Sequence, residues 1–444
     1  MRPIGIDLFA GAGGMSLGFE QAGFDVVAAA EIDPVHSAVH KFNFPDTAMI
    51  VRSVVGLTAA EIRLAAGIGD RQVDCVFGGP PCQGFSLIGS RIIDDPRNRL
   101  VLEFVRIVAE LDAATFVFEN VKGLTLGKQR LFLDELTREF DKVGYSIQTP
   151  WRVLNAANFG TPQNRERLIL MGCKKGSILP SYPSAATNPA GNRRLAFAGL
   201  PGCPTVEDAL SDLPDANSFP TLEKHDALRG VHYGVPSRYA AEMRCTTNEA
   251  WHYGYVRDWN PDELTSSART CHSEISQRRF AATSPGNVEP ISRFFKLAPT
   301  GIANTLRAGT DGARGAFTSP RPIHYRYPRC VTVREMARLH GFPDWFRLNS
   351  TKWHGARQVG NAVPAPLARA VASEVMKTLG KKPNRPDRIV QLGDPALLYF
   401  DMSQAANYFG VARLNGKRDQ KSGAKKRKQH EIEAEITALR AANG

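Results

Sequence analysis

Residues 4–31, IGIDLFAGAGGMSLGFEQAGFDVVAAAE, run from a β-rich apolar segment through a glycine cluster into helical text, then into a second apolar segment. A strand, a tight turn and a helix in that order open a parallel βαβ unit. Gly11, Gly13 and Gly14 occupy the turn, where glycine lets the backbone fold sharply and approach a ligand. Glu31 ends the second apolar segment, about 17 residues beyond Gly14, where a carboxylate can hold a ribose diol. Together these point to a nucleoside-containing cofactor. The G-x-G-G spacing disfavours the G-x-G-x-x-G of pyrophosphate-binding dinucleotide sites. Such a turn also has a purely structural reading, so other motifs must decide.

The alternation continues to residue 172: PVHSAVHKF reads as helix, VDCVFGG as strand, RLVLEFVRIVAEL as helix and TFVFENV as strand. The fold class is therefore α/β, with a parallel sheet covered by helices on both faces. From 173 to about 328 the text turns irregular, with PSYPS, NPAGN and SPGN turn signals and no long amphipathic period. Helical text resumes at TVREMARLHGF and PLARAVASEVMKTLG, and GKKPNRPDR near 380 reads as a linker. We expect a cofactor-binding catalytic domain over 1–172 and a second, smaller, irregular domain over 173–354. Residues 355–380 should return to complete the first domain, with an extension and basic tail over 381–444. MSQAANYFGVARLNG in that extension is read as a short helix packed on the catalytic domain rather than as half of a helix-turn-helix.

The 444 residues are 43% hydrophobic and 23% charged, as in a soluble globular protein. No apolar run approaches the roughly 20 residues that span a bilayer, and no leader pattern opens the chain; the expected location is cytoplasmic, with no membrane partner. Seven cysteines are scattered without C-x-x-C or matched histidine spacing, so neither disulfides nor a metal site are expected. The net charge of +12 suits a polyanionic partner. Part of it belongs to the tail, where residues 411–444 carry about nine basic and four acidic groups.

GGPPCQGFS (78–86) follows a predicted strand, so Cys82 falls at the carboxyl edge of the sheet, where open α/β sheets bind ligands. A lone cysteine is usually a small buried hydrophobe, and Cys75 within the strand fits that description. Proline, glutamine and glycine around Cys82 are instead ligand-loop material. FVFENV ends a further strand in Glu119 and Asn120, a carboxylate at the same edge. TPQNRERLIL spaces Gln163, Arg165 and Arg167 by two, which aims them at one face, as a salt-bridge scaffold or an anion clamp.

With DLFAGAGG, EID, GGPPCQGFS, DDPRN, ENV, QNRERL, RCVTVREMARLHGFPD and QVGNAVP in this order over residues 4–370, the chain resembles the DNA (cytosine-5) methyltransferases. The resemblance implies a Rossmann-like catalytic sheet with a smaller target-recognition domain, and S-adenosylmethionine as methyl donor. It implies Cys82 as the nucleophile that adds to C6 of cytosine, Glu119 as the acid at N3 and the exocyclic amine, and Arg165 as the contact to the flipped base and its phosphate. Arg167 would support the site and Asn120 the loop. Phe9, Ala10, Gly11, Gly13, Gly14, Glu31, Ile32, Pro80, Leu100 and Asn361 fall where the family grips its cofactor. Where many members place an adenine-binding aspartate, this chain has MIVRSVVGLT, so Ser53 or a backbone group is the expected substitute.

A cytosine within duplex DNA must be extruded before this chemistry. Residues 269–326 carry about nine basic against three acidic groups, interleaved with aromatics. NTLRAGTDG (304–312) resembles the segment the family presents to its target, which makes Thr305, Leu306 and Arg307, with Gln83 and Ser86, candidate DNA contacts; a plain glycine-rich hairpin is the other reading. The expected protein is a bacterial, monomeric enzyme acting on double-stranded DNA, with a cognate restriction endonuclease encoded separately. The alternatives are a transfer-RNA cytosine methyltransferase, which the long recognition segment disfavours, and an inactive DNA-binding relative, which intact Cys82, Glu119 and Arg165 disfavour.

Overall fold

The computed structural model describes residues 1–81, 98–125, 130–189, 199–309 and 321–413. Its centre is an eight-stranded sheet: β1 (Ile4–Leu8), β2 (Asp25–Ala30), β3 (Ala48–Ile50), β4 (Cys75–Gly78), β5 (Thr115–Val121), β6 (Tyr145–Ile147), β7 (Arg152–Asn155) and β8 (Glu166–Lys174). The order is β3-β2-β1-β4-β5-β8-β6, with β7 also paired to β8. The first five strands are parallel, and β8 runs antiparallel to β5. Chain order reverses direction between β1 and β4, the switch point at which such sheets open a crevice.

Alternate strand residues fill two cores. Ile4, Ile6, Leu8, Val76, Phe116 and Phe118 face one side, beneath α3 (Ala59–Ala66), α4 (Arg99–Glu110) and α5 (Arg130–Lys142). Cys75, Phe77, Val117 and Ile169 face the other. There they meet α1 (Gly14–Ala22) and a helix from far along the chain, Ala365–Thr378. A Cβ on Gly18 would stand 2.4 Å from Ala368 Cβ, so the two helices touch backbone to backbone only because residue 18 is glycine. This closes the 350-residue gap between the first glycine loop and QVGNAVP.

Residues 199–309 and 321–348 contain short helices and turns joined by few strand pairings: α6 (Val206–Leu210), α7 (Arg238–Met243), α8 (Glu274–Ala282) and α9 (Val333–Leu339). Their core is continuous with α2 (Pro34–Asn43) of the sheet half and with Leu397 and Leu398. After α10 (Lys352–Asn361) and α11 (Ala365–Thr378), α12 (Met402–Phe409) packs on α2, as expected for the extension. No helix among the described residues is long and apolar enough to cross a membrane.

Candidate active site

A cavity of about 670 Å³ opens at the carboxyl ends of β1, β2, β4 and β5, within the usual range of ligand pockets. Phe9, Ala10, Gly11, Gly14, Glu31, Ile32, Ser53, Pro80, Leu100 and Asn361 line it, and so do Glu119, Asn120 and Arg167. The segments that sequence analysis singled out, up to 350 residues apart, therefore meet in one space.

The glycine loop is shaped by three different constraints. Phe9 (φ 65°) and Gly11 (φ 55°) adopt left-handed backbone, a conformation a non-glycine residue holds at a cost of about 1–3 kcal/mol and mainly at functional sites. A Cβ on Gly14 would lie 2.6 Å from Val363 O, so the loop can touch the returning segment only without a side chain there. Gly13 is the left-handed N-cap of α1, packed under Phe44. Glu31 braces this loop: its carboxylate accepts from Gly11 N–H and Asp33 N–H, both at 2.8 Å.

Ile32 is 49% exposed on the rim, an apolar side chain left open at the mouth of a ligand cavity. Ser53 also lines the cavity, and its hydroxyl accepts from Val55 N–H at 3.2 Å.

At the end of β5, Glu119 is partly buried and ion-paired to Arg167, Oε1 to Nε at 2.8 Å. Burial raises its pKa, and the charges of Arg167 and Arg165 only partly oppose this. A Cβ on Gly79 would stand 2.5 Å from Glu119 Oε2, so the glycine admits the carboxyl to the loop edge. Asn120 donates to Pro80 O at 2.9 Å, tying the strand end to the turn that leads toward Cys82. Cys82, Gln83 and Ser86 lie outside the described residues.

The two arginines divide. Arg167 faces the cavity, whereas Arg165 is 1% exposed and donates to Leu306 O (2.9 Å), Gly360 O (2.7 Å) and Ala362 O (2.8 Å). Its Nε–H has no partner among the described residues, and burial lowers its pKa to about 9. Gln163 is fully buried and accepts from Leu306 N–H at 3.1 Å. The alternating ladder thus joins the cavity through Arg167 and the segment 303–306 through Gln163 and Arg165. Within that segment Thr305 and Arg307 are exposed, while Leu306 turns its side chain into the core.

Sequence reasoning did not single out Asp7, Asp33, His36, Arg52 or Arg357, all of which line the cavity. Asp7 had a visible signal, an acid inside an apolar strand. It is buried, accepts from Ser16 Oγ–H at 2.6 Å, and burial raises its pKa to about 8. Asp33 had only its place in the EID block and Arg357 had none, because their position depends on how α2 and α10 pack. Acids on the cavity wall, glycine-loop amides and the apolar Phe9, Ile32 and Leu100 form a lining suited to a cationic, nucleoside-bearing ligand. No cluster of His, Cys, Asp or Glu among the described residues could hold a metal ion.

The family model of the C-5 cytosine-specific DNA methylases matches residues 4–377. The chain is 56% identical over 411 residues to the Type II methyltransferase M.XorII of Xanthomonas oryzae pv. oryzae, covering 93% of each protein. It is 33% identical over 377 residues to the Type II methyltransferase M1.HphI of Haemophilus parahaemolyticus, covering 84% of this chain and 86% of that one. Among solved structures, a candidate DNA modification methyltransferase encoded within an E. coli prophage matches with a TM-score of 0.68 and 31% identity, covering 85% of this chain and 100% of that one.

Proposed function

Because the chain belongs to the C-5 cytosine-specific DNA methylase family, we propose that the cavity at the β1/β4 switch point is where it methylates C5 of a cytosine extruded from double-stranded DNA. The family's methyl donor is S-adenosylmethionine, which supplies an electrophilic methyl group when bound. The glycine loop, Glu31, Ile32, Ser53, Leu100 and Asn361 would hold it.

The reaction needs a nucleophile because C5 of cytosine is a poor one. Addition of the Cys82 thiolate to C6 breaks the C5–C6 double bond and makes C5 enamine-like. Negative charge then gathers at N3. Glu119, its pKa raised by burial, donates a proton or hydrogen bond there, and Arg167 stabilises the carboxylate left behind. C5 then takes the donor's methyl group, the methyl–sulfur bond breaking with its electron pair left on sulfur, and loss of the C5 proton with β-elimination frees the thiolate. The partly buried Glu119–Arg167 pair, set against Gly79 and lining the same cavity as the glycine loop, is the observation that carries this reading. Arg165 and Leu306 anchor the recognition segment from behind, leaving Thr305, Arg307, Gln83 and Ser86 to meet DNA.

We assign catalytic work to residues 1–172 with 355–380, and target recognition to 173–354. The protein acts as a monomer, as the modification half of a restriction system whose endonuclease is a separate protein; the Type II names of its relatives support that setting. The test is trapping on DNA containing 5-fluorocytosine with S-adenosylmethionine present. Wild type should form a covalent adduct that survives denaturation, and Cys82→Ala should form none. An adduct with Cys82→Ala, or none with wild type, removes the assignment.

A further inference from the structure

Two side chains that touch neither the cavity nor solvent, Gln163 and His340, form a directed chain of hydrogen bonds between two functional segments. Leu306 N–H donates to Gln163 Oε1 at 3.1 Å. The same amide's nitrogen donates to His340 Nδ1 at 2.9 Å, with Leu339 O at 3.2 Å as a second acceptor. His340 Nε2 then donates to Ala362 O at 3.0 Å. One end lies in the segment carrying Thr305 and Arg307, and the other touches the residues after Asn361 that line the cavity.

The polarity of the chain is forced by its middle. Ala362 O can only accept, so Nε2 must carry the imidazole proton, Nδ1 must accept, and Gln163 must turn its nitrogen toward Nδ1 and its oxygen toward Leu306. Full burial, with Arg165 and Arg167 close by, keeps the ring neutral, well below the ordinary histidine range. Arg165 spans the same two segments in parallel, through Leu306 O and Ala362 O. The segments also touch directly: a Cβ on Gly360 would lie 2.3 Å from Ala308 N.

We propose that His340 is a positioning residue, with Gln163, that couples cofactor binding at 360–363 to DNA recognition at 303–307. A shift of the Ala362 carbonyl reaches Leu306 through two side chains with one allowed hydrogen-bond direction. The inference rests on the reading of these two segments as cofactor-facing and DNA-facing.

Loss of the imidazole need not unfold the protein, because Ala362 O keeps Arg165 and Gln163 keeps Leu339 O. The experiment measures the affinity of the full-length protein for S-adenosylhomocysteine, alone and with a saturating duplex carrying the site mapped by bisulfite sequencing. Wild type should bind it at least about fivefold more tightly with DNA, the lower end of ordinary coupling between sites. In His340→Leu the ratio should fall toward one, with any remainder carried by Arg165, and affinity measured without DNA should change little. Gln163→Met approaches the same chain from its other end and should do the same, and the double variant should add nothing. His340→Gln, which retains an acceptor and a donor, should restore most of the ratio. A ratio unchanged in both single variants overturns the coupling, and so does a wild-type ratio of one. Failure of the wild type to methylate DNA at all overturns instead the functional reading beneath it.

Discussion

The two halves of this molecule are held together by different chemistry. The sheet half is apolar within: Phe104, Phe116, Phe118 and Phe140 cluster on one face, and Phe19 stacks on Phe77 at 3.6 Å on the other. The irregular half has an apolar core too, but it also buries arginines. Arg338 is fully buried and binds Asp212, Asp344 and Ala209 O. Arg329 binds Asp215 and Glu335, and Arg334 binds Thr265, Pro343 O and Phe346 O. The difference has a plain cause. A sheet satisfies its own backbone, whereas turns leave carbonyls with no ladder partner, and a guanidinium offers five donors in a fixed fork to collect them.

The sharpest way to break this contrast is Arg338→Met. It leaves Asp212 buried without its guanidinium and Asp344 with only Arg334 at 3.6 Å, and a loss of about 3–5 kcal/mol is expected in urea unfolding. Joint replacement of both acids by asparagine should recover part of it. If Arg338→Met costs under about 1 kcal/mol, no more than an Ile→Val change in the sheet, the arginines are not the fasteners of this half.

On the sheet side the corresponding limit is steric. A Cβ on Gly78 would lie 1.9 Å from Leu8 O, a backbone atom of the adjacent strand. Gly78→Ala should cost about 1–3 kcal/mol by overpacking and should weaken cofactor binding, since it wedges β1 from β4 at the cavity floor. An unchanged unfolding midpoint would count against so tight a switch point.

Buried groups make stability depend on pH in opposite senses. His272 and His324 are held neutral by burial with pKa values near 4. The unfolded chain protonates them below about pH 6.5 and the folded one does not, so stability falls as pH drops from there toward 4. In the sheet half His40, lowered to about 3, adds to this acid loss. Asp7 does the reverse. Its folded pKa of about 8 means that its contribution is complete below the unfolded value near 4 and is lost as pH rises through 8. Asp7→Asn should therefore flatten the alkaline side of the stability profile, gaining more than about 1 kcal/mol at pH 8, the worth of one pKa unit. Parallel profiles for the two proteins between pH 5 and 8 would refute a protonated Asp7. The smallest effect belongs to the exposed capping box of α3: Thr58→Ala should cost about 0.5 kcal/mol, the low end for such caps.

Much of the site was legible before the fold was known. Alternation of short apolar strands with helical text determined the sheet, because period-two and period-3.6 patterns are local consequences of backbone geometry. The glycine loop, Glu31, Glu119 and the order of the family blocks were local too, and they identified the carboxyl edge and the chemistry it serves. Which side of the ladder does what was not local. Gln163, Arg165 and Arg167 share a spacing, yet Arg167 meets Glu119 while Arg165 meets carbonyls 141, 195 and 197 residues away. Leu306 reads as a DNA contact in sequence, and its side chain is packed inward. Arg357 carried no signal, and Asp33 and His340 had only their place in the EID and RCVTVREMARLHGFPD blocks. Their roles arise only when α10 and α11 fold back on the glycine loop, since a buried polar group is defined by the partners that tertiary packing brings to it.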